Sequence, residues 1–280
     1  MNRSIPGEAP AIIDRVRQYW DRRPCNIRHS DKPVGSREYF DEVEARKYFV
    51  EPHIAPFAQF ARWDGKKVLE IGSGIGTDSV NFARAGAEIT CVDISNESLA
   101  LCRRRFDVFG LKGRFYKGNA EELSTFVPVE PYDLIYSFGV IHHTPNPNRV
   151  LQEMRKYCGP DTEIRLMLYS KWSWKVMSIF ARHSLGAIWR LGSLIRQNSE
   201  AETGCPVTFV YSAREVRKLL HGYCVLAIRK DHIFPYVISK YVRYEYQWVW
   251  YFKWIPTPLF RWLERLAGWH TLIIARPRAP

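Results

Sequence analysis

Three short runs in the 280-residue sequence place chemistry-bearing side chains at informative spacing. The first is "VLEIGSGIGTD", where Glu70 precedes Gly72, Gly74 and Gly76 in an E-x-G-x-G-x-G pattern between an apolar run and a helix-like segment. A tight turn without Cβ atoms lets a ligand approach the backbone and meet the amides of a helix N-terminus. In the dinucleotide fingerprint the third glycine position would fall on Thr77, whereas here it falls one residue earlier. A carboxylate at Glu70 also suits a cationic ligand better than a pyrophosphate. In the second run Asp93 ends the next apolar stretch, 17 residues beyond Gly76. A carboxylate there can accept hydrogen bonds from both hydroxyls of a ribose. Asn119-Ala120-Glu121 follows the third apolar stretch, where a side-chain amide or a backbone N–H can read an adenine ring.

The third run, "FGVIHHTPNPN", sets His142 and His143 side by side at the end of a fourth apolar stretch. Adjacent residues on a strand point to opposite faces, and no carboxylate or cysteine stands at ligand spacing nearby, which argues against a shared metal. The end of a fourth strand beside the first is the topological switch point of a doubly wound sheet, where ligands bind. One imidazole, with His142 favoured as the nearer, can then take a proton from an acceptor. Both histidines as structural strand-end residues is the competing reading.

The elements that must position these residues alternate. "KKVLEIG", "AEITCVDI", "GRFYKGN", "YDLIYSFGVI" and "TEIRLMLYS" read as strands, with helices over 77–85, 95–109 and 148–157 between them. That order predicts a mostly parallel sheet with right-handed crossovers. "SAREVRKLLHGY" reads as a helix opened by a capping box from Ser212 to Glu215, and "CVLAIRKDHIF" and "GWHTLIIAR" as the last two strands. The expectation is an α/β, Rossmann-like, seven-stranded sheet in three regions. These are an N-terminal cover (1–60), a core (61–170) and a C-terminal completion (171–280) with insertions over about 171–207 and 236–267.

Hydrophobic residues make up 46% and charged residues 25%, ordinary for a globular chain. The net charge of +12 is uneven: residues 1–169 hold 24 Lys/Arg against 23 Asp/Glu, and residues 170–280 hold 17 against 6. A basic C-terminal part fits an anionic substrate, an anionic membrane surface, nucleic acid or a solvated face. Six scattered cysteines with no C-x-x-C pair fit a reducing cytosol and give no zinc signature. The N-terminus lacks the apolar stretch of a signal peptide, and charges interrupt the run from Trp172 to Ile195, so it is not read as a membrane span.

With loop, strand-2 acid, strand-3 motif and "SFGVIHH" in order, the chain resembles class I S-adenosylmethionine-dependent methyltransferases, especially the small-molecule branch that includes ubiquinone/menaquinone-type enzymes. The resemblance covers about residues 65–170, 212–231 and 268–276. It implies that Glu70, Gly72, Gly74 and Gly76 hold the methionine end, Asp93 the ribose, and Asn119 and Ala120 the adenine. Asn119 stands where Asp is common. Ser73, Thr77, Asp78, Ile94, Glu121 and Phe138 adjoin these motifs and complete the expected set for S-adenosyl-L-methionine and its product S-adenosyl-L-homocysteine.

Methyl transfer from an activated sulfonium needs alignment and exclusion of water more than side-chain chemistry, so the core motifs leave the acceptor open. The resemblance further implies an N-terminal segment folded over the cofactor, where Tyr19, Arg28 and His29 would meet the acceptor. In the second insertion Tyr244, Trp248 and Tyr251 or Phe252 share a helical face, which fits a packed cap, an apolar acceptor pocket or a surface that meets anionic lipid. The expected protein is a cytoplasmic enzyme, membrane-peripheral at most, that methylates O, C or N of a small apolar or aromatic acceptor. An RNA methyltransferase, a non-catalytic cofactor-binding subunit and a nicotinamide enzyme are the alternatives.

Overall fold

A computed structural model describes residues 8–183 and 205–278, with side chains from 11 to 178 and from 205 to 278. Most of the expected first insertion lies outside them. The sheet has seven strands: β1 (Lys67–Ile71), β2 (Glu88–Asp93), β3 (Arg114–Lys117), β4 (Tyr132–Phe138), β5 (Cys158–Tyr169), β6 (Tyr223–Asp231) and β7 (His270–Pro277). Their spatial order is β3-β2-β1-β4-β5-β7-β6. The first five are parallel, and β7 runs antiparallel between β5 and β6. Parallel strands covered on both faces must be apolar throughout, and β1 is buried from Val68 to Ile71. One core gathers Leu69, Ile135, Ile164 and Ile273, and the other Val68, Cys91, Leu134 and Met167.

Helices α1 (Glu8–Arg22), α2 (Arg37–Val50) and α3 (Ile54–Ala58) precede the sheet, and α4 (Thr77–Arg84), α5 (Asn96–Phe109) and α6 (Pro147–Arg155) are its crossovers. Ser95 caps α5, its hydroxyl accepting from the Ser98 amide at 3.0 Å. Arg105 on α5 is fully buried and donates to Thr77 Oγ1 at 2.6 Å and to the Phe40 carbonyl at 2.7 Å, with Glu44 at 3.2 Å. It thereby joins α2, α4 and α5 beneath the glycine loop. Arg105→Leu leaves the Phe40 carbonyl and the Thr77 hydroxyl without their donor, and Glu44 with Arg84 alone, and is expected to destabilise the fold by roughly 2 kcal/mol, read as a fall in the denaturant midpoint.

After α7 (Trp174–His183) come α8 (Ala213–Leu219), with the expected capping box at Ser212 and Glu215, α9 (Ile238–Tyr241), α10 (Trp250–Lys253) and α11 (Thr257–Ala267). The second insertion therefore lacks the continuous helix on which Tyr244, Trp248 and Tyr251 would share a face. Tyr244 takes φ +64°, which no right-handed helix allows. Trp248 instead packs with Ile233, Phe252 and Phe260 in a small core of the cap.

Candidate functional site

The C-terminal ends of β1, β2 and β4 open into a cleft of about 1020 Å³, counting the solvent at its mouth. The glycine loop forms its floor. Gly72 and Ser73 donate their amides to the Val92 carbonyl at 2.7 and 3.0 Å, and Gly76 donates to the Ser73 carbonyl at 2.9 Å, so the loop closes on itself. Gly72 has φ +81°, and a Cβ there would lie 2.1 Å from Val140 Cγ2. Gly76, at φ +76°, caps α4 and faces Cys102 of α5 rather than the cleft; a Cβ would meet the Cys102 sulfur at 2.7 Å.

Asp93 is buried and spans the loop: Oδ2 accepts from the Gly74 amide and Oδ1 from the Ser95 amide, each at 2.8 Å. Burial outweighs these amides and raises its pKa to about 6. Glu70 is buried beside Asp78 and accepts from the Ser79 hydroxyl. Burial first, then the Asp78 charge, holds its pKa well above the carboxylate range. Asp78 accepts from Lys47 Nζ at 2.7 Å, Tyr48 Oη at 2.9 Å and Tyr136 Oη at 3.0 Å. Burial pulls the Lys47 pKa down, but Asp78 and Glu51 more than offset it. Two carboxylates thus share one ammonium in the cleft floor, a balance that a sulfonium or α-ammonium group improves.

The cleft is lined by Glu70, Gly72, Ser73, Gly74, Thr77, Asp78, Asp93, Ile94, Asn119, Ala120, Phe138 and His143 of the expected residues. Several others stand elsewhere. Glu121 turns away and accepts from the Asn146 amide at 2.8 Å, fastening the loop before α6. Tyr19 is buried on α1, and its neighbour Trp20 reaches the cleft in its place. Arg28 contributes a carbonyl to Tyr244 Oη at 3.1 Å, and His29 and Tyr244 border a separate shallow groove with Arg46. Trp248 lies in the cap.

The histidine pair is not on a strand. Gly139, at φ +80°, ends β4, and residues 141–143 form a turn of 3-10 helix. The rings stay on one side, their centroids 4.3 Å apart. His142, expected nearer the acceptor, is fully buried with its ring 3.9 Å from that of Tyr169. His143 lines the cleft under the edge of Trp20, 5.5 Å away. Its Nδ1 lies 2.8 Å from the Val207 carbonyl, which only accepts, so Nδ1 carries the proton and Nε2 the lone pair of the neutral ring.

Sequence reasoning expected an N-terminal cover but missed Lys47 and the residues by which that cover reaches the cleft. Ile13, Val16 and Trp20 of α1 line the cleft, and their i, i+3, i+7 spacing was a readable apolar helical face. Lys47 stands far before the loop and gives no local signal. Cys25 and Asn26 complete the wall.

Residues 68–161 match the family described as a methyltransferase domain. The ubiquinone biosynthesis O-methyltransferase of Actinobacillus pleuropneumoniae serotype 5b (strain L20) is 32% identical over 100 residues, 35% of this chain and 43% of that protein. The enzyme of the same name from Aeromonas salmonicida (strain A449) is 31% identical over 133 residues, covering 43% and 56%. The chain thus spans about half the length of these relatives. Magnesium protoporphyrin IX methyltransferase from Synechocystis PCC 6803, with bound SAM, superposes with a TM-score of 0.55 at 14% identity over 99% of this chain and all of that one. The cyclase SpnF superposes with a TM-score of 0.54 at 15% identity over 96% and 95%. At such identities these two establish a shared fold, on which different chemistries run. The matched segment carries the glycine loop, Asp93, Asn119 and the histidine turn, so residues 68–161 match a methyltransferase domain set in a Rossmann-like sheet that continues beyond it.

Proposed function

We propose that the chain transfers the methyl group of S-adenosylmethionine to a small, apolar or aromatic acceptor. The observation that carries this reading is the pairing of a carboxylate-rich glycine loop with an apolar lid in one cleft. Glu70 and Asp78 face the cationic methionine end, Asp93 the ribose, and Asn119 and Ala120 the adenine. The group supplies an electrophilic methyl when bound, and the lid residues Ile13, Val16 and Trp20 keep water from it and present a flat apolar wall to the acceptor. The N-terminal helices serve as the cover of this chamber, and the second insertion serves as a cap behind it. Methyl-labelled S-adenosylmethionine incubated with the protein and a fractionated cell extract is expected to label the organic phase. Label in the RNA fraction would reassign the basic C-terminal part to phosphate contacts, and no label in any fraction would leave a non-catalytic binding protein.

His143 Nε2 takes the proton when the acceptor is a hydroxyl. His143→Ala is then expected to lower kcat by roughly 100-fold or more with little change in cofactor affinity. An unchanged kcat would return the ring to a packing role under Trp20.

The acceptor is met at an anionic membrane from a reducing cytoplasm. No helix among the described residues is long and apolar enough to cross a membrane. On α10, its C-cap and α11, however, Trp250, Trp254 and Trp262 are 75%, 80% and 54% exposed, with Lys253 and Arg265 among them. Tryptophan with Lys/Arg is the composition that favours the lipid headgroup layer. The protein is expected to sediment with vesicles containing phosphatidylserine, and replacing the three tryptophans by serine is expected to weaken this by roughly tenfold or more. Equal sedimentation of the triple variant would rule the surface out.

A further inference from the structure

Behind Phe138, outside the cleft, a second group of ligating side chains converges from three distant parts of the chain. Glu51 caps the C-terminus of α2, His232 follows β6, and His270 opens β7. One donor atom from each lies within 4.8 Å of the other two. We propose that Glu51, His232 and His270 bind a divalent first-row transition cation of the zinc class.

Two imidazoles and a carboxylate are a known zinc donor set, which leaves a fourth position for water. Bonds of about 2.0–2.2 Å place donors roughly 3–3.5 Å apart, so a modest side-chain rotation closes the site. Glu51, with its side chain 20% exposed, already has an oxygen 3.7 Å from His270 Nδ1 and gives the ion a path from solvent. His53 Nε2 also lies 2.9 Å from His270 Nδ1, a contact that gives way when that nitrogen binds the ion.

His232 is the residue least explained by packing alone. It is 8% exposed, and its ring stacks on that of His270 at 4.7 Å. Its backbone sits at φ +70°, a conformation that costs a residue with a Cβ about 1–2 kcal/mol. A metal bond offsets that strain. The nearest arginines do not oppose a cation with full charge: Arg229 pairs with Asp231 at 3.2 Å and Arg261 with Glu264 at 2.7 Å. A bound ion would clamp the end of α2 to β6 and β7, and so fix the helix that delivers Lys47 to the cleft.

The test uses tag-free, chelator-treated protein titrated with Co²⁺, read by visible d–d absorption, with Zn²⁺ as competitor and thermal unfolding as a second readout. Stoichiometric binding that raises Tm is expected, weakened roughly tenfold or more by Glu51→Gln and by His232→Gly. Glycine accepts the left-handed backbone, so that variant removes the ligand without new strain. His221→Ala, an exposed control, should bind as the parent does. Absent d–d bands, or bands that persist in His232→Gly, would overturn the site. Because Co²⁺ binding needs no cofactor, the outcome is independent of the methyl-transfer reading.

Discussion

Gly72→Ala is expected to weaken S-adenosylmethionine binding by at least about 100-fold, a loss of about 2.7 kcal/mol. Two costs combine at this position. The φ of +81° is open to glycine and strained for alanine, and the new Cβ would stand 2.1 Å from Val140 Cγ2. Relief of the contact must move either the loop, which rests on the Val92 carbonyl, or the residues that follow Gly139 and lead to His143. Both border the cleft, so the damage concentrates where the ligand sits. Isothermal titration of the single variant and of Gly72→Ala/Val140→Ala separates the costs. The double variant is expected to recover part of the affinity, because it removes the two Cγ clashes and leaves the strained φ and the 2.8 Å approach to Val140 Cβ. Wild-type affinity in Gly72→Ala would mean that the ligand does not depend on this turn.

The second large effect is a pair of pH dependences of opposite sign, both from Asp93. Its folded-state pKa of about 6 lies above the ordinary 3.8 because the carboxylate is buried. A raised carboxyl pKa contributes stability that is fully present below pH 3.8 and is lost as pH rises through 6. For this group the loss in the ligand-free protein is ~3 kcal/mol. Ribose hydroxyls donate to the ionised form, so cofactor affinity should run the other way, falling up to about tenfold per unit as pH drops below 6. Asp93→Asn removes both dependences. It also turns an amide NH₂ toward either the Gly74 or the Ser95 amide, a donor against a donor, and is expected to lower affinity by roughly 100-fold at pH 7. Unfolding and titration measured from pH 5 to 8 on both proteins check the signs, and parallel slopes in the two proteins would assign the titration to another group.

The strands of the sheet were legible because parallel strands covered on both faces leave no room for polar residues, so "VLEI" and "ITCVD" stand out as apolar runs. The glycine loop was legible because its chemistry is local: turn, approach and helix start lie within a few residues. The histidine pair was not, since reading it as strand assumed that the backbone continued past Gly139, whose φ of +80° ends it. That one dihedral exchanges the roles of His142 and His143. Tyr19 failed for a related reason, because its own helix rotates Trp20 toward the cleft and Tyr19 away from it. Lys47, His53, His232 and His270 were invisible, as residues more than 200 positions apart in sequence, such as His53 and His270, are brought together by tertiary packing alone. In the cap, aromatic density looked like a helical face, but Pro256 and the left-handed Tyr244 divide it into short helices.

The place of β7 between β5 and β6 has a consequence for synthesis on the ribosome. Among the described strands β6 pairs with β7 alone, so once made it must wait without a partner until residues 270–277 have left the exit tunnel. The antiparallel edge of β5 waits longer still, since more than 90 residues separate its end from the start of β7. Until then the unpaired backbone edges of both strands are open to pairing with other chains. Nascent chains arrested just before His270 should therefore recruit chaperones more strongly than chains that include β7.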